Sequence, residues 1–195
     1  MANPDNSIIA QLQNLNTARE LMPNLTDWGV KDFSCSIHSL GMTYLTLLGN
    51  HLGYVGVAEV PTPKNGQYAY IGDDIRSDSV WFNRETRLPT LIAEFERYSG
   101  VIDQSKLESK VKNLLLAHNR WDGKPEYLVL AYWTKGISSF PKYENLQQII
   151  SKGFKTPAQE PVEGTSRQKL LLLQFWMREN SDQKLYLSEI VVRGN

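Results

Sequence analysis

The chain has 195 residues, 21 basic and 21 acidic side chains, one cysteine and 41% apolar residues. This length is typical of one domain with a proper core, and the apolar content argues against disorder. A single cysteine excludes a disulfide scaffold and a cysteine-rich zinc site. The balanced net charge excludes a protein whose whole surface is strongly basic and binds nucleic acid by charge alone.

The first part of the chain is predicted to be helical. Residues 7–22 carry apolar side chains near helical spacing, and Pro23 is expected to end this helix. A second amphipathic helix follows, with Asp32 as its cap and Gly49 and Gly53 as stop signals.

Three strands are predicted next. Residues 54–60 alternate in polarity and are stopped by prolines, and residues 79–83 form a short apolar run. Residues 90–98 are a longer β run, which we expect to pair with 79–83 as a hairpin.

A crossover is predicted after the hairpin. Ser105 and Glu108 have the spacing of a capping box at the start of a helix over 106–121. Residues 126–134 are apolar almost throughout, as in a strand covered on both faces. We therefore expect a right-handed crossover in which 126–134 lies parallel to 90–98.

The last part of the chain is predicted to hold a helix at 145–152, a loop around 157–166 and an antiparallel pair of strands. The whole pattern predicts an α/β (α+β) fold with a mixed central sheet flanked by helices. We expect a single domain over 1–195, with these parts: a helical extension (1–31), an α-β-β-β-α-β core (32–134) and a C-terminal helix and strand pair (135–195).

Acidic residues cluster at the predicted hairpin. Glu94 and Glu96 lie two residues apart on one strand, so their side chains share a face, and Phe95 points to the core. Asp78 leads the paired strand and can approach the same place. Three converging carboxylates would be an oxygen-ligand site for Mg²⁺ or Mn²⁺. The alternative is a solvated face on which Arg97 neutralises the glutamates.

This pattern resembles the PD-(D/E)xK nuclease superfamily, whose fold is restriction endonuclease-like. Asp78 matches the first motif, with Ser77 in place of proline, and Glu94 matches the first position of the second motif. Glu96 stands where most members have lysine, similar to the E-x-E variant of some type II restriction endonucleases. The α-β-β-β-α-β order is the family's common core, and the resemblance covers roughly residues 32–134.

The resemblance implies a divalent-metal-dependent endonuclease that hydrolyses phosphodiester bonds, with DNA as substrate. Asp78 and Glu94 would hold Mg²⁺ or Mn²⁺, and Glu96 would accept a proton or help to ligate a second ion. The missing lysine would come from the helix after the motif strand, as Lys110 or Lys112. Their other interpretation is as solvated surface lysines.

Further positions follow from the same resemblance. The predicted helix at 33–51 contains no acidic residue, so Glu59 is a candidate substitute metal ligand; its other interpretation is as a surface glutamate. Three cations near the proposed site are candidates to bind substrate: Lys64, Arg76 and Arg97. Cleavage of both strands of a duplex would favour a homodimer.

Two alternatives to a nuclease remain open. One is a non-catalytic relative that binds or interacts without the motif lysine, and the other is an α/β protein in which E-x-E has no role. Residues 1–83 carry four basic and eight acidic side chains, whereas 84–195 carry 17 and 13. A nucleic-acid partner would therefore depend on metal, shape or sequence. The N-terminus lacks a secretory pattern and no apolar run approaches a membrane span, so we expect a cytoplasmic protein without a membrane partner.

Overall fold

The structure is a computed structural model that describes residues 4–32, 34–64, 66–136 and 140–193. Its helices are α1 (Pro4–Leu12), α2 (Leu15–Leu21), α3 (Pro23–Thr26), α4 (Ser34–His51), α5 (Gln104–Arg120) and α6 (Tyr143–Lys152). Its strands are β1 (Val30–Lys31), β2 (Val55–Pro61), β3 (Arg76–Phe82), β4 (Pro89–Arg97), β5 (Tyr127–Lys135), β6 (Phe154–Lys155), β7 (Pro161–Val162), β8 (Leu170–Glu179) and β9 (Lys184–Arg193).

The main sheet has seven strands in the order β1-β9-β8-β5-β4-β3-β2, and β6 and β7 form a separate pair. Strands β4, β5 and β8 run parallel, whereas the other neighbours are antiparallel. This mixed sheet flanked by helices confirms the predicted fold class. The order α4-β2-β3-β4-α5-β5 and the parallel pairing of β4 with β5 are confirmed as well.

The sheet separates two apolar cores. Alternate residues of β4, among them Phe95, face the core that contains the buried residues of α4. The residues between them, such as Ile92, face the core beneath α5 and α6. Eight consecutive residues of β5, 127–134, are buried, which confirms that this strand is covered on both faces. Burial on both sides fixes the register of β4 and thus the direction of every side chain on it.

The predicted single helix over 7–22 is wrong, because it is divided into α1 and α2. Asn14 caps α2 by accepting hydrogen bonds from the backbone N–H groups of Asn16 and Thr17 at 3.0 and 3.3 Å. Pro23 ends α2 as predicted and also begins the short helix α3. A good cap residue within an apolar periodic stretch was the signal for the break.

Two predicted helix signals are also wrong. Gly49 does not stop α4, which continues to His51; a Cβ at position 49 would come within 2.6 Å of the Trp81 indole. The glycine therefore lets helix and sheet approach closely. Helix α5 begins at Gln104, one residue before the proposed capping serine, and Glu108 instead accepts a hydrogen bond from Gln104. The cap predicted at Asp32 borders Phe33, which lies outside the described residues.

The C-terminal region follows the prediction in outline. Strands β8 and β9 pair in antiparallel fashion, and α6 begins two residues earlier than expected. The two-residue strands β1, β6 and β7 carried no signal that sequence periodicity could detect. Strand β3 begins at Arg76 rather than at residue 79, so Asp78 lies within the strand.

Candidate active site

Asp78 is held where β3 and β4 begin to separate. The paired residues of the two strands end at Ser79 and Ala93. At the next position Asp78 Oδ2 accepts a hydrogen bond from the backbone N–H of Phe95, at 2.7 Å. A side-chain carboxylate thus takes the place of a backbone acceptor. This bond fixes the side chain of Asp78, a residue only 6% exposed, beside Glu94.

Glu94 is buried on the face of β4 that lies beneath α5. Glu94 is 1% exposed, and it pairs with Leu130 of β5 in the strand register. The solvated interpretation of this position is therefore wrong. A carboxylate in apolar surroundings needs a charged or hydrogen-bonded partner, since burial of an unpaired charge is costly.

Lys110 supplies that partner from helix α5. Its Nζ lies 2.6 Å from Glu94 Oε2 and 3.4 Å from Asp78 Oδ2. The buried side chains of Leu107, Val111 and Leu114 dock α5 on the sheet, and this places the flanking position 110 above the two carboxylates. The three residues come from two strands and one helix, and they form a compact charged cluster.

Burial and neighbouring charges set the protonation of this cluster. Burial, reinforced by the charge of Asp78, raises the pKa of Glu94 to about 8, although Lys110 opposes this shift. Burial lowers the pKa of Lys110, but the charges of Glu94 and Asp78 outweigh it and leave the pKa above its ordinary value. Lys110 thus remains an ammonium ion, and burial favours the protonated form of Glu94.

Glu94 retains one oxygen for a further ligand. Its Oε1 is buried and has no hydrogen-bond partner. Two neighbouring carboxylates, of which Glu94 has an unpartnered oxygen, are a donor set that suits a hard divalent cation, so the residues fit Mg²⁺ or Mn²⁺. Among the described residues, however, no group of three or more histidine, cysteine, aspartate or glutamate side chains is arranged to hold a metal ion.

Glu96 shares the face of Glu94 but does not join the cluster. Its Oε1 accepts a hydrogen bond from the backbone N–H of Arg97 at 2.8 Å, and the side chain is half-buried. Its charge still contributes to the raised pKa of Lys110. The structure thus places it close enough to act through its charge, while Lys110 occupies the place between Asp78 and Glu94.

Glu59 lies across from Asp78 on β2. The pairs on either side are Ala58 with Ser79 and Val60 with Ser77, so Glu59 has the register position opposite Asp78. Its side chain is exposed, and its φ of 53° is left-handed, which is uncommon outside glycine. The charge of Glu59 also raises the pKa of Glu94. This substitute ligand is therefore near the cluster but outside its hydrogen bonds.

The other predicted cations lie around the cluster rather than in it. Lys112 Nζ is 5.8 Å from the centroid of the Phe154 ring and has no contact with the carboxylates among the described ion pairs. Lys64 pairs with Asp74 at 2.6 Å, and both line a small cleft with Arg76.

Arg97 lies on the opposite face of the sheet from Glu94. Its guanidinium carbon is 4.7 Å from the ring centroid of Trp133, and its Nε donates to Ser99 Oγ at 2.8 Å. Asp32 is its ionic neighbour at 3.8 Å. Alternation along β4 thus separates Arg97 from the carboxylates that it was expected to neutralise.

Sequence reasoning missed two contributors to the site. The backbone N–H of Phe95, which positions Asp78, has no signature in a sequence. Thr46 on α4 donates to Ser79 Oγ at 3.0 Å and so ties the helix to β3 directly behind the cluster. A threonine on the sheet-facing side of α4 was the only available signal.

Comparison of the chain with models of protein families, with curated proteins and with solved structures finds no significant match. None of the described helices has the length and apolar character that crossing a membrane requires.

Proposed function

We propose that this protein is a divalent-metal-dependent nuclease that hydrolyses phosphodiester bonds in DNA. The observation that carries the proposal is the placement of Lys110, whose ammonium group contacts both Asp78 and Glu94. Two acids on neighbouring strands and one lysine are the groups that the resemblance requires. Here the lysine comes from a helix, and Glu96 stands on the strand in the place that the family's lysine usually has.

The charge of the cluster supports a cation as cofactor. A bound cation would displace the proton that burial favours on Glu94. Ionised Asp78 and Glu94 together with Lys110 carry one net negative charge, which repels a phosphate. A divalent cation would reverse that sign. Asp78 and Glu94 would hold it, with Glu59 as the nearest further carboxylate. When bound, such an ion stabilises charge on a phosphate and lowers the pKa of a bound water.

The protein's own residues have separate roles in this proposal. Asp78 and Glu94 bind and orient the cofactor, and the Phe95 N–H keeps Asp78 in place. Lys110 Nζ provides positive charge beside the scissile phosphate, where negative charge increases in the transition state. Glu96 Oε2 accepts the proton of the attacking water. A bond forms between the water oxygen and phosphorus, and the bond between phosphorus and the leaving ester oxygen breaks. The leaving oxygen departs with the bonding electron pair and takes a proton from solvent water.

The second candidate is a protein that binds nucleic acid without cleaving it. The observation in its favour is that Lys110 already pairs with both carboxylates, so the cluster is partly neutralised without any metal. A homodimer, expected if both strands of a duplex are cut, remains part of the proposal.

Cleavage assays with Mg²⁺ and with Mn²⁺ test the function. Plasmid DNA and labelled oligonucleotides are incubated with the wild-type protein and with Asp78→Asn, Glu94→Gln and Lys110→Met. We expect the wild-type protein to cleave, and each substitution to reduce the rate by about a hundredfold or more. Lys106→Met is the matched control, because Lys106 is exposed on the same helix and pairs with Asp103.

The outcomes separate the candidates. Metal-dependent cleavage that Lys106→Met retains and Lys110→Met loses supports the nuclease. If the wild-type protein binds DNA but cleaves neither substrate with either metal, the binding function replaces it. If Lys110→Met cleaves as fast as the wild type, Lys110 has no part in catalysis and the proposed site is wrong.

A further inference from the structure

A cavity of about 550 Å³ lies beside the proposed active site, between α5, the loop before β3 and the β6 segment. Its apolar wall includes Ile75, Leu116 and Phe154, and its polar wall includes Lys112 and Lys155. This volume is within the range of small-molecule sites, and an apolar wall with a few polar groups is typical of them.

The two lysines make one part of the cavity wall positive, while the Glu160 carboxylate bonds to two other lining residues. Among the ion pairs of the described residues neither Lys112 nor Lys155 has a partner, and Asp73 is the one acid among the lining residues. Lys112 lies 5.8 Å from the Phe154 ring centroid, so a cation and an aromatic face are presented together. A group that combines a flat aromatic ring with a negative charge complements this pair.

Hydrogen bonds hold the cavity walls in place. Arg120, 1% exposed, donates to the carbonyl oxygens of Ile71 and Asp73 at 2.8 and 3.0 Å. Glu160 Oε2 accepts from the Gly72 N–H and from Thr156 Oγ1, each at 3.4 Å, and so links the loop before β3 to the segment after β6. A site fixed in this way loses little entropy when a ligand binds.

The cavity adjoins the carboxylate cluster. Ile75 lines both this cavity and the smaller cleft that includes Arg76. Asp78 follows Ile75 by three residues, which span at most about 11 Å. On α5, Ser109 lines the cavity and immediately precedes Lys110. A chain of nucleotides at the cluster would therefore pass the mouth of the cavity.

We infer that the cavity binds one unpaired nucleotide of the DNA strand that is cut, with its base against Phe154 and its phosphate between Lys112 and Lys155. The inference rests on the proposed function and makes its substrate class more specific. A base that enters the cavity must be free of its pairing partner, so the preferred substrate is single-stranded DNA or a frayed end.

Binding of a short fluorescein-labelled oligothymidylate tests the inference. Anisotropy is measured in EDTA, where metal-dependent cleavage cannot consume the probe. We expect Lys112→Gln/Lys155→Gln to weaken binding about tenfold and to reduce the slope of log K against log salt by about 0.7, the contribution of one neutralised phosphate on a single strand. Phe154→Leu should weaken binding about fivefold without changing that slope.

The matched control is Lys31→Gln/Lys124→Gln, which removes the same charge from two exposed lysines that do not line the cavity. We expect its affinity and salt slope to equal those of the wild type. Equal losses in both double variants would show a general charge effect and overturn the inference. Unchanged binding of Lys112→Gln/Lys155→Gln, or no wild-type binding of the probe, would overturn it as well.

The test distinguishes this inference from the nuclease proposal. If the cavity variants weaken binding but the wild-type protein never cleaves DNA, the cavity still binds a nucleotide and the nuclease proposal is wrong. If the wild-type protein cleaves DNA but the cavity variants bind the probe as tightly as the wild type, the nuclease proposal stands and the inference about the cavity is wrong. If a duplex of the same sequence binds as tightly as the single strand, with the same dependence on Lys112 and Lys155, the assignment to an unpaired nucleotide is wrong.

Discussion

Lys110 Nζ and Glu94 Oε2 lie 2.6 Å apart across the boundary between helix α5 and the central sheet. The Glu94 side chain is nearly inaccessible to solvent, whereas the Lys110 side chain is 22% exposed. The pair therefore has a buried acidic end and a partly solvated basic end. This asymmetry explains why the acid, rather than the lysine, is the group whose protonation changes most readily.

Replacing Glu94 by glutamine should change how stability depends on pH. In EDTA the native state keeps a proton on Glu94 up to its raised pKa of about 8, whereas the unfolded state releases it near the ordinary value of 4.5. The stability that this proton contributes is thus complete at low pH and is lost as pH rises toward 8. We expect Glu94→Gln to gain roughly 3 kcal/mol relative to the wild type between about pH 5 and pH 8.

Urea unfolding at both pH values measures this change. Glu96→Gln is the control, because it removes a half-buried carboxylate from the same face of β4. Parallel pH profiles for wild type and Glu94→Gln would contradict the assignment of the proton to Glu94.

Asp78→Ala and Asp78→Asn should differ in stability although both lack the carboxylate. Asparagine retains an oxygen that can accept the hydrogen bond from the Phe95 N–H, whereas alanine leaves this buried donor unpaired. We expect Asp78→Ala to be less stable than Asp78→Asn by about 1–3 kcal/mol. Chemical denaturation of both variants measures the difference. Equal stabilities would mean that water or a backbone shift satisfies the Phe95 N–H.

Gly41→Ala should destabilise the protein although alanine is the better helix former. A Cβ at position 41 of α4 would collide with the ring of Phe95. We expect a loss of about 1–3 kcal/mol, because over-packing exceeds the gain of about 1 kcal/mol in helix propensity. Ser39→Ala, at an exposed position of the same helix, is the control. Thermal unfolding compares the two, and a higher Tm for Gly41→Ala would show that helix and sheet can separate at this contact.

His118 should make the fold sensitive to mild acid. Burial, with help from the charge of Lys169, lowers the pKa of His118 to about 4, and Lys169 Nζ lies 3.1 Å from its Nε2. His118 therefore takes up a proton below about pH 6.5 in the unfolded chain, but only below about pH 4 in the native state. We expect the wild type to lose roughly 2 kcal/mol more than His118→Gln as pH falls through this interval.

Urea unfolding across that interval tests the His118 effect. His51→Gln is a suitable control, since His51 is exposed at the end of α4. Its pH profile should follow that of the wild type. If His118→Gln also retains the full acid sensitivity, another group is responsible for it.

Periodicity and turn residues were enough to predict the order of the core elements, because each has an apolar pattern long enough to be distinctive. They could not reveal the role of Gly49, since it depends on what the residue meets in three dimensions. The break at Asn14 had a local signal, the cap residue, but the helical periodicity on both sides of it outweighed that signal. The same limit applies to the site. Asp78 and Glu94 were predicted to converge from the strand pattern together with the family resemblance. Lys110 and Lys112 flank the same apolar position, so the sequence offers no reason to prefer one of them. Only the docking of α5 on the sheet selects Lys110.

The origin of Lys110 in a different layer from Asp78 has a consequence for how such sites change over time. A lysine two residues after Glu94 would be tied to it by the geometry of one strand, and its loss would be visible in a short motif. A lysine on α5 depends only on helix packing, so any position that reaches the same point in space can provide it. Substitutions can therefore move the cation between elements while its distance from the acids stays constant. Related proteins would then share an arrangement of charges in space without sharing a sequence motif of fixed spacing.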